Sequence, residues 1–535
     1  MGTVSVDTDY VIVGAGAAGC VLANRLSEDQ ENQVLLLEYG GRDTNPMLYV
    51  PKGFYFTLRG DRYTYHYPTR PIGPGGHAEV WTRGKVLGGS TAVNGMQWVR
   101  GAAADWDGLA ALGNPAFGWG RVLAAYRAME DHNLGASDMR GAGGPLGVSV
   151  TEDDDEIVQA ILASAQAMGW EHVADFNAHD SERVGFTPST IRHGRRTSAY
   201  SAFVRPVRRR RNLTVATRTR AGYLLFDGTR VVGVRASKGG QTVDYRARKE
   251  VILSAGTVET TLLLERSGIG RPAVLRRAGV DVRVESPNVG ERVIEQRAVG
   301  MQVRLKGNVG PTRRLNTWPK QGWEGFKYLF TRSGPVATGG FDLVSQFKSS
   351  PGLDRPDIQG TFVPMALDAG SPAMKLARHS GIMFTGYQMR PATTSSVHLS
   401  GRLPENPPVI SARFLEEEAD RAATAPVLGI ARQVFAKGPL ADYVLDEEFP
   451  GPVVSSPDEV VRYALETGSG IYHAVGACAM GPGSDDVVDP QLRVRGVTGL
   501  RVVDASVLPV QVAGNTAAPT MAVAWIAADL ILDGS

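Results

Sequence analysis

The chain has 535 residues, 43% of them apolar and 21% charged, with a formal charge of +2 at neutral pH. That length suits two or three domains, or two shared cores, and the composition is that of a soluble globular protein. So small a net charge gives no reason to expect nucleic acid or an anionic membrane as partner.

From the amino terminus, residues 9–38 read DYVIVGAGAAGCVLANRLSEDQENQVLLLE. Tyr10–Val13 is a short buried strand, followed at once by Gly14, Gly16 and Gly19 in a GxGxxG pattern. Small and apolar residues then recur at helical spacing through Leu26, and Val34–Leu37 forms a second apolar strand ending in Glu38. One glycine makes the tight turn, one lets the backbone approach a pyrophosphate, and one lets helix and strand pack closely. The helix N-terminus offers N–H groups and partial positive charge to phosphates. Glu38 is placed to hold a ribose hydroxyl pair and argues against a 2′-phosphate. Strand, loop, helix, strand and acid in this order predict a dinucleotide site, for FAD or NAD. A single such unit in so long a chain favours FAD.

Further along, TRGKVLGGSTAVNGMQWVRG at 82–101 is a glycine-rich loop with outward N–H groups, suited to an electron-rich ligand edge. Asp105 and Asp107 flank Trp106 and read as a helix start. The segment 151–170 predicts an acid-started amphipathic helix closed near Gly169. RRRR at 208–211 reads as a solvated turn before the strand-like NLTVAT. Residues 250–270 predict a buried strand, a Ser-Ala-Gly turn and a helix. GIMFTGYQMR at 381–390 and SSVHLSG at 395–401 predict strands, and 416–436 a long surface helix. No basic segment with an apolar run opens the chain, so no secretory signal is expected. APTMAVAWIAADLIL at 518–532 is too short to span a bilayer. Cys20 and Cys478 read as buried reduced thiols, for which a cytoplasmic setting is expected. No CxxC or HExxH spacing is present, and no metal is expected.

The stretches 82–101 and 250–270 resemble the two signatures of the glucose–methanol–choline (GMC) flavin oxidoreductases. Tyr472-His473 with GACAMG, LRVVDASVLP at 500–509 and GNTAAPT at 514–520 resemble that family's carboxy-terminal motifs, in the expected order. The resemblance implies an α/β fold with a Rossmann-like FAD-binding domain built from 1–50, 78–150, 198–298 and 480–535. A mainly antiparallel sheet with helices, from 51–77, 151–197 and 299–479, would form the substrate-binding domain. It implies that Gly14, Gly16, Ala17, Ala18, Gly19 and Glu38 hold the ADP half of FAD. Arg83, Val86, Gly89, Ser90, Asn94, Gly95 and Met96 would line the pyrophosphate and flavin ring. Val215, Ala255, Tyr472, Asp504, Ala505, Asn515 and Thr516 complete the implied cofactor contacts. Val93 stands where some members attach FAD through a histidine, so the flavin is expected to be noncovalent. Three positions depart from the family pattern: Glu259, Glu295-Gln296-Arg297 in place of Asp-His, and Val512. None is expected to touch the chemistry directly.

In the segment GSGIYHAVGACAMG, 468–481, His473 corresponds to the family's catalytic histidine and Asn515 to its partner across the substrate oxygen. A neutral imidazole is matched to taking a hydroxyl proton near pH 7. Small neighbours leave room for a flavin face and an alcohol carbon. The helix preceded by Asn515 and Thr516 would point its positive end at the flavin. The other histidines, His132 and His398 among them, are expected on surfaces or in loops. The implied partners are a small-molecule alcohol and an acceptor, either O2 or an organic one. The aromatic-rich stretches 63–68 and 384–389 read either as a surface on which an aryl ring could stack or as core or dimer contacts, and the leading expectation is a primary alcohol of aryl or furan type. The absence of an obvious acidic cluster weighs against a quaternary ammonium. A dehydrogenase of the same family with a quinone or protein acceptor, and a sugar or glycoside oxidase, are the nearest rivals. The His473–Asn515 pair disfavours a flavin-dependent lyase or photodecarboxylase.

Overall fold

The computed structural model describes residues 4–368 and 375–534. Residues 369–374, within the stretch expected to form the substrate-binding domain, lie outside the described residues. The strand Val34–Leu37 is buried at every position, as a strand covered on both faces requires. It lies in parallel register between Leu213–Ala216 and Val4–Val13. Val4–Val13 pairs in parallel with Gln241–Leu253, which changes neighbour along its length. Its first half pairs antiparallel with Arg230–Lys238, and residues 251–253 pair in parallel with Leu500–Val502. Thr219–Asp227 closes the edge of this seven-stranded mixed sheet. The helices Ala17–Leu26 and Ala517–Asp533 pack together over it. Arg25 fastens the pair, 2.9 Å from Asp529 and stacked over Trp525.

A second, eight-stranded sheet runs Val444–Phe449, Arg297–Leu305, Gly381–Gln388, Ile358–Val363, Leu343–Phe347, Arg183–Phe186 and Glu171–His172, with Ser469–Gly470 also on Arg297–Leu305. Its pairs are antiparallel apart from the last two strands of that order. Side chains alternate across a strand. Phe347, Ile358, Phe362 and Phe384 join one apolar core with Ile157, Ile161, Val427 and Ala431. The other face carries a polar row. Arg183 stands opposite Gln346, Gln346 opposite Gln359, and Gln359 opposite Tyr387, on four successive strands.

The acid-started helix is Glu156–Ala167, capped by Asp155 on the Ile157 N–H. The stretch 416–436 is not one surface helix. It forms Glu418–Thr424 and Val427–Ala436, interrupted around Pro426, and the second buries Val427, Leu428, Ala431, Val434 and Phe435. Proline lacks the N–H that a continuous helix needs there. Cys20 and Cys478 are both free and buried. No helix among the described residues is long and apolar enough to cross a membrane.

Two histidines expected at the surface are buried, His132 and His398. His398 closes the hairpin Ser396–Leu399/Pro408–Ser411 onto the helix Gly256–Arg266. Its Nδ1 is 2.7 Å from Glu265 and its Nε2 3.2 Å from Glu291. Burial disfavours its charge, but the hydrogen bond and charge of Glu265, helped by Glu291, outweigh this and raise its pKa. A raised folded pKa contributes stability that is complete below the unfolded value and lost as pH rises through the folded one. His398→Gln is therefore expected to destabilise the protein by about 3 kcal/mol at about pH 6, and by less at about pH 9. Denaturant melts of both proteins at the two pH values check this; an equal loss at both would contradict it.

Candidate active site

The strand Val4–Val13 ends at Gly14, whose φ of +105° only glycine adopts readily. A Cβ at Gly14 would lie 2.4 Å from the Ser254 carbonyl oxygen, and one at Gly19 would lie 1.9 Å from that of Gly14. Gly16 differs: the nearest atom to its Cβ would be 3.9 Å away, leaving an open approach. Gly16 begins the helix carrying Ala17 and Ala18 with no side chain capping its N–H groups. Glu38 accepts from the N–H groups of Ala15 at 3.0 Å and Gly40 at 2.7 Å, spanning the loop. Burial pushes its pKa up to about 7 against the pull of those two donors. Val215 lies beside Leu36 on the neighbouring strand.

The second glycine loop packs on the first. Gly88 N–H donates to the Ala15 carbonyl at 2.8 Å, and a Cβ on Gly89 would come within 2.7 Å of Gly16 Cα. Val86 bridges to Gly41, and Ser90 Oγ accepts from Gly84. Asn94 Oδ1 accepts from Met96 N–H and from Arg196, holding the turn in which Met96 has a φ of +70°. Gly95 lies under the Phe341 ring. Directly against the first loop, where a Gly14 Cβ would come within 2.8 Å of its Cα, Ala255 precedes Gly256, whose N–H donates to Asp504 at 2.9 Å. Asp504 also accepts from Thr260 and Ser506, and burial raises its pKa. Ala505 opens the short turn after it. In the aromatic stretch 63–68, Tyr65 stacks on Tyr39 and the Tyr67 hydroxyl donates to Glu259.

At the other end of the cleft is His473. Its N–H donates to Glu295 at 2.8 Å, its Nδ1 is 2.7 Å from Gln296 Oε1, and its Nε2 is 3.1 Å from Asn515 Nδ2. Burial, helped by the charge of Arg83, lowers its pKa to about 3. Arg83 is partly buried and lies 3.6 Å from Glu295, with its guanidinium against the Tyr472 ring. Tyr472 itself is half exposed. Asn515 and Thr516 lead into Ala517–Asp533, whose first turn has no side-chain cap.

The proton on this imidazole is located by the groups around it. Arg183, 4% exposed, has donors only. It donates to Gln346 Oε1 at 2.7 Å, so the Gln346 amide nitrogen faces Gln359 Oε1 at 3.1 Å. Gln359 Nε2 then donates to Asn515 Oδ1 at 3.2 Å and to the Tyr387 hydroxyl at 2.6 Å. Asn515 therefore turns its NH2 to Gln97 Oε1 and to His473 Nε2, each at 3.1 Å. Nε2 must accept. From the opposite end, the Met389 carbonyl takes Gln296 Nε2 at 2.7 Å, leaving Gln296 Oε1 as an acceptor for Nδ1–H. Both ends give the same tautomer, with the proton on Nδ1 and a lone pair on Nε2.

Models described as GMC oxidoreductase match residues 8–301 and 391–524. The chain belongs to the GMC oxidoreductase family. It is 35% identical to an alcohol dehydrogenase (acceptor) of Pseudomonas putida, over 98% of this chain and 95% of that one. It is 36% identical to mitochondrial choline dehydrogenase of Homo sapiens, over 98% and 89% respectively. Among solved structures, pyridoxine 4-oxidase from Mesorbium loti superposes with a TM-score of 0.88 at 28% identity, covering 98% of both chains. The protein is thus a FAD-dependent enzyme of the GMC type acting on CH–OH donors.

The residues fit that cofactor. Gly16 is open where the pyrophosphate would approach, and Glu38 retains lone pairs for a ribose. Ser254 Oγ, from the residue packed on Gly14, and Gln97 Nε2, from the residue that accepts from Asn515, are buried without a partner. One expectation is overturned. The departure Glu295-Gln296 from the GMC pattern does touch the candidate chemistry, because both residues hold His473 directly. Gln97, Arg183, Gln346, Gln359 and Tyr387 were not singled out individually from sequence. For Gln346 and Gln359 the one local signal is a glutamine at a strand position otherwise flanked by core residues.

A neutral amide on Nδ1 leaves the imidazole free to stay uncharged, whereas a carboxylate there would favour imidazolium. Wild-type kcat/KM is expected to show no acid limb from His473 between about pH 5 and pH 8. Gln296→Glu is expected to introduce one, with flavin still bound. A pH profile that stays flat in the flavin-loaded variant would count against this assignment.

Proposed function

We propose that the protein oxidises a primary alcohol, of aryl or furan type, to the aldehyde, with His473 Nε2 as the base and Asn515 as the partner that holds the hydroxyl. The single observation that carries this reading is the lone pair on Nε2, enforced from both ends of the hydrogen-bond chain. Bound FAD supplies a two-electron acceptor for the hydride leaving the alcohol carbon. The substrate hydroxyl enters between the two side chains: the Asn515 Nδ2–H that meets His473 Nε2 turns to the hydroxyl oxygen, which frees the Nε2 lone pair to take the hydroxyl proton. A ring with a pKa of about 3 does not strip an alcohol in advance. The hydroxyl becomes strongly acidic only as the hydride departs, so the proton moves with the hydride. In this reading His473 is neutral before each turnover at any ordinary pH.

Dioxygen is the acceptor in this proposal, with hydrogen peroxide as its product. An organic acceptor is the second reading, favoured by the name of the Pseudomonas putida relative. A choline-like substrate is favoured by the human relative. Against it, Glu295, the acid beside His473, is already engaged by Arg83 at 3.6 Å and by the His473 and Gln296 backbone N–H groups, and so is not free to face a quaternary ammonium. The flavin is held noncovalently, because buried Val93 offers no nucleophile. Two buried free thiols suit a reducing cytoplasm.

Anaerobic mixing with benzyl alcohol, a furan alcohol, choline and a glucoside, followed by air, tests substrate and acceptor together. Bleaching of the flavin by the aryl or furan alcohols, then recovery with peroxide, is expected. No bleaching by any alcohol would sink the proposal. In the same assay His473→Ala is expected to keep its flavin while reduction slows by roughly two to four powers of ten. Acid or heat denaturation is expected to release free FAD; flavin that stays with the precipitated chain would refute noncovalent binding.

A further inference from the structure

The helix Trp318–Thr331 is inside out. Its buried residues are Glu324 and Tyr328, while Trp318 is 83%, Trp323 60%, Phe326 52%, Leu329 60% and Phe330 75% exposed. At 3.6 residues per turn these five side chains fall on one arc, opposite the Glu324–Tyr328 side. Trp323 stacks on Phe326, and Phe326 contacts Phe330, so the exposed rings pack on one another. A soluble surface helix has the reverse arrangement, and an exposed apolar patch of this size marks an interaction surface.

The charges around the patch indicate its partner. Between residues 312 and 332 the sequence has five cations, Arg313, Arg314, Lys320, Lys327 and Arg332, and one acid, Glu324. Arg313 is answered by Asp155 and Glu156, and Arg314 by Glu324. Lys320 meets only neutral oxygens, of Arg313 and Asn316, and Arg332 lies over the Tyr328 ring. Lys327 shares Glu324 with Arg314. Lys320 and Lys327 thus line one border of the aromatic arc with excess positive charge, which the whole-chain balance of +2 conceals.

Trp, Phe and Leu on one side of a helix with lysines at its border is the pattern of a helix lying in a bilayer interface. A second copy of the chain fits less well. A two-fold contact through this face would set each lysine border against its own copy. We propose that Trp318–Thr331 docks the protein on an anionic lipid surface, its aromatic arc entering the headgroup–acyl boundary and Lys320 and Lys327 meeting lipid phosphates. A short loop joins the helix to Phe341, whose ring packs on Gly95 of the second glycine loop, so the docked face and the candidate site share one segment.

Flotation of the FAD-loaded full chain with vesicles tests this. Vesicles of phosphatidylcholine with phosphatidylglycerol are expected to carry on the order of a hundredfold more protein than phosphatidylcholine alone, a preference that high salt abolishes. The double variant Phe326→Glu, Phe330→Glu is expected to remain unbound, with flavin absorbance and melting temperature unchanged. Wild-type protein that floats with neither vesicle overturns the proposal. So does a wild-type dimer in light scattering that the same variant converts to monomer, which would make this face a contact between copies.

Discussion

The site depends on a hydrogen-bond chain whose direction cannot reverse. A guanidinium has no acceptor and a carbonyl no donor. With Arg183 at one end and Met389 at the other, every amide between them has a single allowed orientation. The outcome is one imidazole tautomer. Burying Arg183 is costly, and burial pulls its pKa down to about 10. The Phe176 and Ser181 carbonyls, Gln346 and the face of the Phe176 ring offset that cost. Its charge survives, and with it the polarity of the row.

The row is a product of sheet register. Arg183, Gln346, Gln359 and Tyr387 are cross-strand neighbours, so a slip of one residue in any pairing would turn a member into the apolar core and break the chain. The alternate face, where Phe347 and Phe362 lock into the helices Glu156–Ala167 and Val427–Ala436, prevents such a slip. Hydrophobic packing on one side of the sheet therefore fixes proton placement on the other.

This also explains what the sequence could and could not reveal. The nucleotide loop is legible because most of its contacts are near in sequence: Gly19 packs on Gly14 and Glu38 spans the loop through Ala15 and Gly40, whereas the Ser254 carbonyl that crowds Gly14 comes from another strand. His473 and Asn515 became candidates through family resemblance, and the fold brings them to 3.1 Å. Glu295-Gln296 was visible as a departure, yet its meaning lay 177 residues away at His473. Buried His398 was illegible for the same reason, since its partners Glu265 and Glu291 come from other elements. The long helix failed for a local reason that was readable, Pro426.

The choice of amides rather than a carboxylate on the imidazole has a physical consequence. A carboxylate at Nδ1 would strengthen the base but raise its pKa toward the working range, and some of the enzyme would then hold a charged, unreactive ring. Glutamine orients the ring equally well and adds no charge. Glu295, the nearest carboxylate, spends its interaction on the His473 and Gln296 backbone N–H groups and on Arg83. Arg83 in turn disfavours imidazolium. The site thus gives up basicity in the resting state for a ring that is always neutral and always turned the same way. In the proposed oxidation such a base is adequate only if the hydroxyl proton grows acidic as the hydride departs, so that weak basicity and coupled proton–hydride departure are two aspects of one arrangement.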